Sequence, residues 1–156
     1  MKQKVYIDTS VIGGCFDKEF EEWSNRLFDD FKTGKKVAVV SDITLDELID
    51  APEKVRKNFD TIPDESLEIL TSDSESNELA DKYILEKAVS EKFYEDALHI
   101  AIATINQVNV LSSWNFKHIV NLDRIRLYNS VNLKSGYNLI EIRTPREILK
   151  FKEDED

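Results

Sequence analysis

Short β-branched runs alternate along this chain with longer stretches in which apolar residues recur every three or four positions. The first pattern fits strands and the second fits helices that bury one face. Val5-Tyr6-Ile7 is an extended run that ends in Asp8-Thr9-Ser10, ahead of Gly13-Gly14, where regular extension should break. Phe20, Trp23, Leu27, Phe28 and Phe31 predict an amphipathic helix over 19–33, ended near Gly34. Lys36-Val37-Ala38-Val39-Val40-Ser41 reads as a buried strand, and residues 42–50 as a helix with Ile43, Leu45, Leu48 and Ile49 as its apolar contacts.

Residues 51–66 hold two of the three prolines and many charges, which predicts a short helix and a loop. A brief strand is expected over 67–71, then a helix over 74–89 with Leu79, Tyr83, Ile84 and Ala88 on one face. From Ala97 to Ile105 the chain is apolar almost all round, as a helix buried against a sheet should be, and a strand is expected over 108–111. Ile119, Leu122, Ile125, Tyr128, Val131 and Leu133 predict a helix over 120–134 that stops at Ser135-Gly136. Leu139-Ile140-Glu141-Ile142 reads as a last strand at an edge, and Thr144-Pro145-Arg146-Glu147 as a capping box that opens a final short helix. Strands alternating with helices predict an α/β fold with a mainly parallel sheet.

A chain of 156 residues is long enough for one core, so a single domain is expected over 1–150, with 151–156 as an acidic, disordered tail. One cysteine, Cys15, cannot form an internal disulfide, and no apolar run reaches the length of a membrane span; a cytoplasmic protein without a membrane is the expectation. The net charge of −10 argues against a general nucleic-acid binder. The charge is uneven, however. Residues 60–99 carry twelve acids against three bases, whereas residues 113–146 carry six bases against two acids, so a phosphate-facing side is confined to the C-terminal third.

Three acids then stand out. Asp8 follows the first strand, Glu47 lies one turn into the helix after the second, and Asp96 opens the buried helix. All three belong where the carboxyl edge of a parallel sheet gathers its ligands. Plainer roles compete with this: Asp8 as a helix N-cap, Glu47 as the end of a Thr44-Leu45-Asp46-Glu47 capping box, and Asp96 as a complement to its helix dipole. Carboxylates gathered in a cleft repel one another unless a cation neutralises them, and hard oxygen ligands suit Mg²⁺ or Mn²⁺. Such an ion activates water toward a phosphodiester.

The ordered set of Val5-Tyr6-Ile7-Asp8-Thr9-Ser10, Glu47, Asp96-Ala97-Leu98-His99-Ile100-Ala101 and Ser113-Trp114-Asn115-Phe116 resembles the PIN domain, and within it the VapC-type toxins of toxin-antitoxin systems. The resemblance spans residues 3–148. It implies a three-layer α/β/α sandwich and a metal-dependent endoribonuclease, with Asp8, Glu47 and Asp96 as the catalytic acids and metal ligands. It also implies an RNA substrate, a homodimer and an antitoxin partner. Many PIN domains carry an acid where this chain has Asn115, which could still offer a carbonyl oxygen to a metal or its water.

Thr9, Ser10, Ser113, Trp114 and Lys117 are candidate substrate-binding residues around this edge. Thr9 and Ser10 also fit plain turn formers, Trp114 fits either base stacking or the core, and Lys117 fits either a phosphate or solvent. His99 fits packing in a helix interface or contact with the site. Two readings from other classes remain: a catalytically weak PIN-derived module that binds protein or RNA, and a phosphotransferase with Asp8 as acceptor. The second lacks the acid two residues on, where Ser10 stands.

Overall fold

A computed structural model describes residues 1–149, so the tail expected over 151–156 lies outside the described residues. Strands β1 (Gln3–Ile7), β2 (Lys36–Ser41), β3 (Leu67–Leu70), β4 (Val110–Ser112) and β5 (Ile142–Arg143) form one sheet in the order β3-β2-β1-β4-β5. Every pairing is parallel. Helices α1 (Thr9–Gly14), α2 (Glu21–Lys32), α3 (Asp42–Ile49), α4 (Glu53–Phe59), α5 (Ser74–Leu85), α6 (Tyr94–Ile105) and α7 (Leu122–Lys134) connect them. A further helix begins at 145, where Thr144 Oγ1 accepts from the Glu147 N–H and Glu147 Oε1 from the Thr144 N–H, both at 3.1 Å.

The sheet divides two cores by the period of two that extended chain imposes. Val5, Ile7, Ala38, Val40 and Val110 face one core, with Val11 and Ile12 of α1, Leu27, Phe28 and Phe31 of α2, and Val55 of α4. Tyr6, Val39 and Leu111 face the other, with Leu79 and Tyr83 of α5, the apolar run of α6, and Tyr128 and Val131 of α7. The result is a three-layer α/β/α sandwich. Among the described residues no helix is long and apolar enough to cross a membrane.

Two expected boundaries move for one physical reason. α5 ends at Leu85 rather than 89, because the Lys87 N–H bonds the Ile84 carbonyl and the Ala88 N–H reaches the Tyr83 carbonyl, with Lys87 at φ 62°. The same closure ends α6, with Gln107 at φ 51°, and β4 starts at Val110 rather than at 108. This is the left-handed helix stop that glycine normally supplies, and α2 and α7 do use Gly34 and Gly136 for it. A stop built on Lys or Gln carries no residue signal. α6 also begins earlier, at Tyr94, which puts Asp96 inside its first turn. In α7, Leu122 and Leu133, part of the apolar spacing that predicts the helix, are 63% and 60% exposed.

Candidate active site

From β1 the chain steps outward through β2 and β3, then returns to the other flank of β1 for β4 and β5. The crevice outside the carboxyl ends of β1 and β4 is therefore the switch point of the sheet, where α/β folds hold their ligands. Tyr6 pairs with Leu111 and Ile7 with Ser112, so Asp8 and Ser113 leave the sheet side by side.

Asp8 fills both of the roles that its sequence allows. Its Oδ1 accepts from the Val11 N–H at 3.3 Å, capping α1, and from the Ser10 hydroxyl at 2.6 Å. Its Oδ2 accepts from the Ser113 hydroxyl at 2.6 Å. Burial raises its pKa; His99 and the two hydroxyl donors oppose the shift, and the Glu47 charge adds to it. Ser113 Oγ also accepts from the Asn115 N–H at 2.9 Å, and Ser10 Oγ from the Trp114 N–H at 3.0 Å. Both serines are thus committed to holding Asp8 and the chain after β4. Ser113 is fully buried and so is a positioning residue rather than the substrate contact expected of it.

Glu47 is not a capping residue. Ser41 and Thr44 form the box at the start of α3, and Glu47 Oε1 instead lies 2.6 Å from His99 Nε2. His99 Nδ1 is 2.6 Å from the Tyr6 hydroxyl, which is 2.7 Å from Ser41 Oγ. Burial disfavours the charged imidazole, but Tyr6, the Glu47 hydrogen bond and the nearby Asp8 charge outweigh it and raise the His99 pKa well above its usual value. His99 therefore both packs between α6 and β1 and supplies a positive charge among the acids. Tyr6 had no signal as a site residue; it is one polar-tipped side chain in a strand, and only the pleat directs it toward His99.

Asp96 has a pKa raised to about 6, first by burial and then by the charges of Asp8, Glu47 and Glu95, with His99 opposing. The three acids are thus electrostatically one group. The Asn115 amide nitrogen donates to Asp96 Oδ2 at 3.4 Å. Its oxygen accepts from the N–H groups of Lys117 and His118 at 3.1 and 3.0 Å. Two backbone donors fix which end of the amide is which, so Asn115 steadies an acid and closes a turn, and its carbonyl is not directed at a metal.

Of the remaining expected contacts, Lys117 is exposed, and Thr9 Oγ1 is buried without a hydrogen-bond partner. Trp114 is 8% exposed, its Nε1–H donates to Ser24 Oγ at 2.8 Å, and Phe20 stacks on its ring at 4.3 Å. It belongs to the core, and Phe20 covers one face of its ring.

Three carboxylates with partly free oxygens match the hard-donor chemistry of Mg²⁺ or Mn²⁺. Among the described residues, however, no group of three His, Cys, Asp or Glu side chains is close enough to share an ion as placed. Burial contributes most to the raised Asp96 pKa, and the smaller share from Asp8, Glu47 and Glu95 is repulsion that such an ion would relieve.

This parallel α/β/α sandwich has a PIN-like fold. Two solved structures share it. One is VapC20 of Mycobacterium tuberculosis, described as a toxin that cleaves the sarcin-ricin loop, with a TM-score of 0.55 and 12% identity over 87% of this chain and 98% of that one. The other is VapBC2 of Rickettsia felis bound to a DNA fragment from its promoter, with a TM-score of 0.59 and 12% identity over 91% and 98%. At this identity the likeness is one of fold. No protein-family model matches the sequence, and no curated protein matches it.

Proposed function

We propose that this protein is a Mg²⁺- or Mn²⁺-dependent endoribonuclease, the toxin of a toxin-antitoxin pair, acting in the cytoplasm as a homodimer. The observation that carries this reading is the convergence of Asp8, Glu47 and Asp96, from three separate elements, on one edge of the sheet, where Ser113, His99 and Asn115 hold one carboxylate each. The VapC fold supports it.

Asp8, Glu47 and Asp96 would hold the ion, which supplies an activated water and charge stabilisation for in-line attack on phosphorus. Ser10 and Ser113 hold the Asp8 carboxylate in one orientation. His99 offsets the acids and anchors Glu47. Asn115 steadies Asp96, and the exposed Lys117 reaches toward an RNA phosphate.

The test is cleavage of a mixed structured RNA pool by purified protein with Mn²⁺, with Mg²⁺ and with EDTA, beside an Asp96→Asn variant. Cuts that need the metal and disappear in the variant are expected. A second reading, a binding module of weak catalysis, is favoured by the neutral Asn115, whose oxygen is already used. Mn²⁺ titration separates the two, since a degenerate site binds the ion poorly.

A further inference from the structure

Asp8 directly follows β1, Glu47 lies in α3 and Asp96 in α6, and a second set of side chains ties the same three elements together. Tyr6 of β1, two residues before Asp8, joins them. Its hydroxyl stands 2.7 Å from the hydroxyl of Ser41, which caps α3, and 2.6 Å from Nδ1 of His99, one turn after Asp96 in α6. The other ring nitrogen of His99 is 2.6 Å from Glu47 Oε1, so the path returns to α3. Thr44, one turn before Glu47, also donates to the Ile7 carbonyl at 3.4 Å.

Tyr6 and Ser41 are 0% exposed and His99 is 1% exposed, so these bonds lie in a dry interior. A carboxylate only accepts, which gives the hydrogen of the Glu47 contact to Nε2. Nδ1 then faces a phenol, which can donate to a bare nitrogen or accept from a protonated one, and the Ser41 hydroxyl answers in either sense. A buried polar chain with every member satisfied is rigid. Packing alone does not need the Tyr6 hydroxyl, because phenylalanine would fill the same place between Val5 and Ile7. Tyr83, an equally buried tyrosine, spends its own hydroxyl on Asn132 of α7.

We propose that Tyr6 is a positioning residue of the acidic edge: through His99 it holds Glu47 by one oxygen and leaves the other for the cation. The inference rests on Asp8, Glu47 and Asp96 being the metal site. Without the hydroxyl, Nδ1 is left unpaired in a dry core, the imidazole turns or exchanges its tautomer, and the hold of Nε2 on Glu47 slackens. Groups that orient a metal ligand from outside tune affinity by about ten- to a hundredfold.

Tyr6→Phe removes the hydroxyl and keeps the ring, and Tyr83→Phe is the control for loss of a buried hydroxyl alone. Both are measured in the full chain. In EDTA, the Nε2 proton of His99 is followed in proton–nitrogen correlation spectra, assigned against His118→Gln. It is expected at low field in the parent and in Tyr83→Phe, and displaced or lost to exchange in Tyr6→Phe. Titration with Mn²⁺ alone, read by paramagnetic resonance, should show about tenfold weaker binding in Tyr6→Phe and the parent affinity in Tyr83→Phe. A proton signal absent from the parent or unchanged in Tyr6→Phe would overturn the proposal, as would a Mn²⁺ affinity that stays at the parent value in Tyr6→Phe or falls equally in both variants. Failure of the nuclease reading is separable: the parent then binds no Mn²⁺, while the spectra in EDTA still show Tyr6 acting on Glu47 through His99.

Discussion

Asp96 is the residue on which charge, burial and site meet. Its carboxyl is pushed up from 3.8 to about 6, so in that interval the folded chain holds a proton that the unfolded chain has released. The sign follows: raising the pH from below 3.8 to above about 6 removes stability from the metal-free protein through this group. Asp96→Asn should therefore match the parent at the acidic end and exceed it at neutral pH, as read from urea midpoints across the interval. A constant difference at all pH values would refute this. The position of Asp96 at the head of an apolar run was visible in the sequence, but its coupling to Asp8 and Glu47 was not. That coupling depends on distances across three elements. His99 shows the same division. A histidine one turn after Asp96 can pack or serve the site, and only the placement of Tyr6 and Glu47 on its two ring nitrogens makes it do both.

Helices here are set by their ends and by how closely they approach. α1 is a short helix whose last residue, Gly14, sits beneath the Trp114 indole and Ser24. A Cβ at that position would lie 2.5 Å from Ser24 Oγ and 2.8 Å from Trp114 Nε1. Gly14→Ala should push the indole from its bond with Ser24 and cost about 1–3 kcal/mol, measured by chemical denaturation. Gly13→Ala is the control, since its Cβ would meet only Val55 at 3.9 Å. β1 ends at Ile7, directly before Asp8 as the sequence predicts, and the Gly13-Gly14 pair ends α1, where Gly14 serves close packing. Element identities were legible because each repeats a period over many residues. The stops at Lys87 and Gln107 were not, since left-handed backbone on a lysine or a glutamine leaves no mark in residue type.

At the scale of the molecule, an ion that binds only the folded state stabilises all of it. Mn²⁺ at about a hundredfold over its dissociation constant should add about 2.7 kcal/mol. The gain in melting temperature should shrink as the pH falls below about 6, where Asp96 keeps its proton and competes with the metal. A gain that is independent of pH and persists in Asp96→Asn would place the ion elsewhere. The two cores on either side of the sheet explain why α2 and α5 show strong apolar faces: both faces are spent inside the monomer.

The order of the strands and of the longer helices, the parallel sheet and the three acids on elements that meet its carboxyl edge were determined by the sequence alone, whereas the short α1 was read there only as a break in extension. They rest on local periodicity and on the rule that every β-strand in such a chain ends facing the same crevice. Tertiary structure decided the rest. It assigned Trp114 to the core and left Phe116 and Trp23 at an open cleft. It turned the Asn115 oxygen inward, and it set Ser113 and Ser10 on Asp8 rather than on a ligand. The physical reason is that a hydroxyl, an amide or a ring has several partners within reach along the chain. Which one it takes is fixed only when residues about a hundred positions apart, such as Asp8 and Ser113, are brought within 2.6 Å.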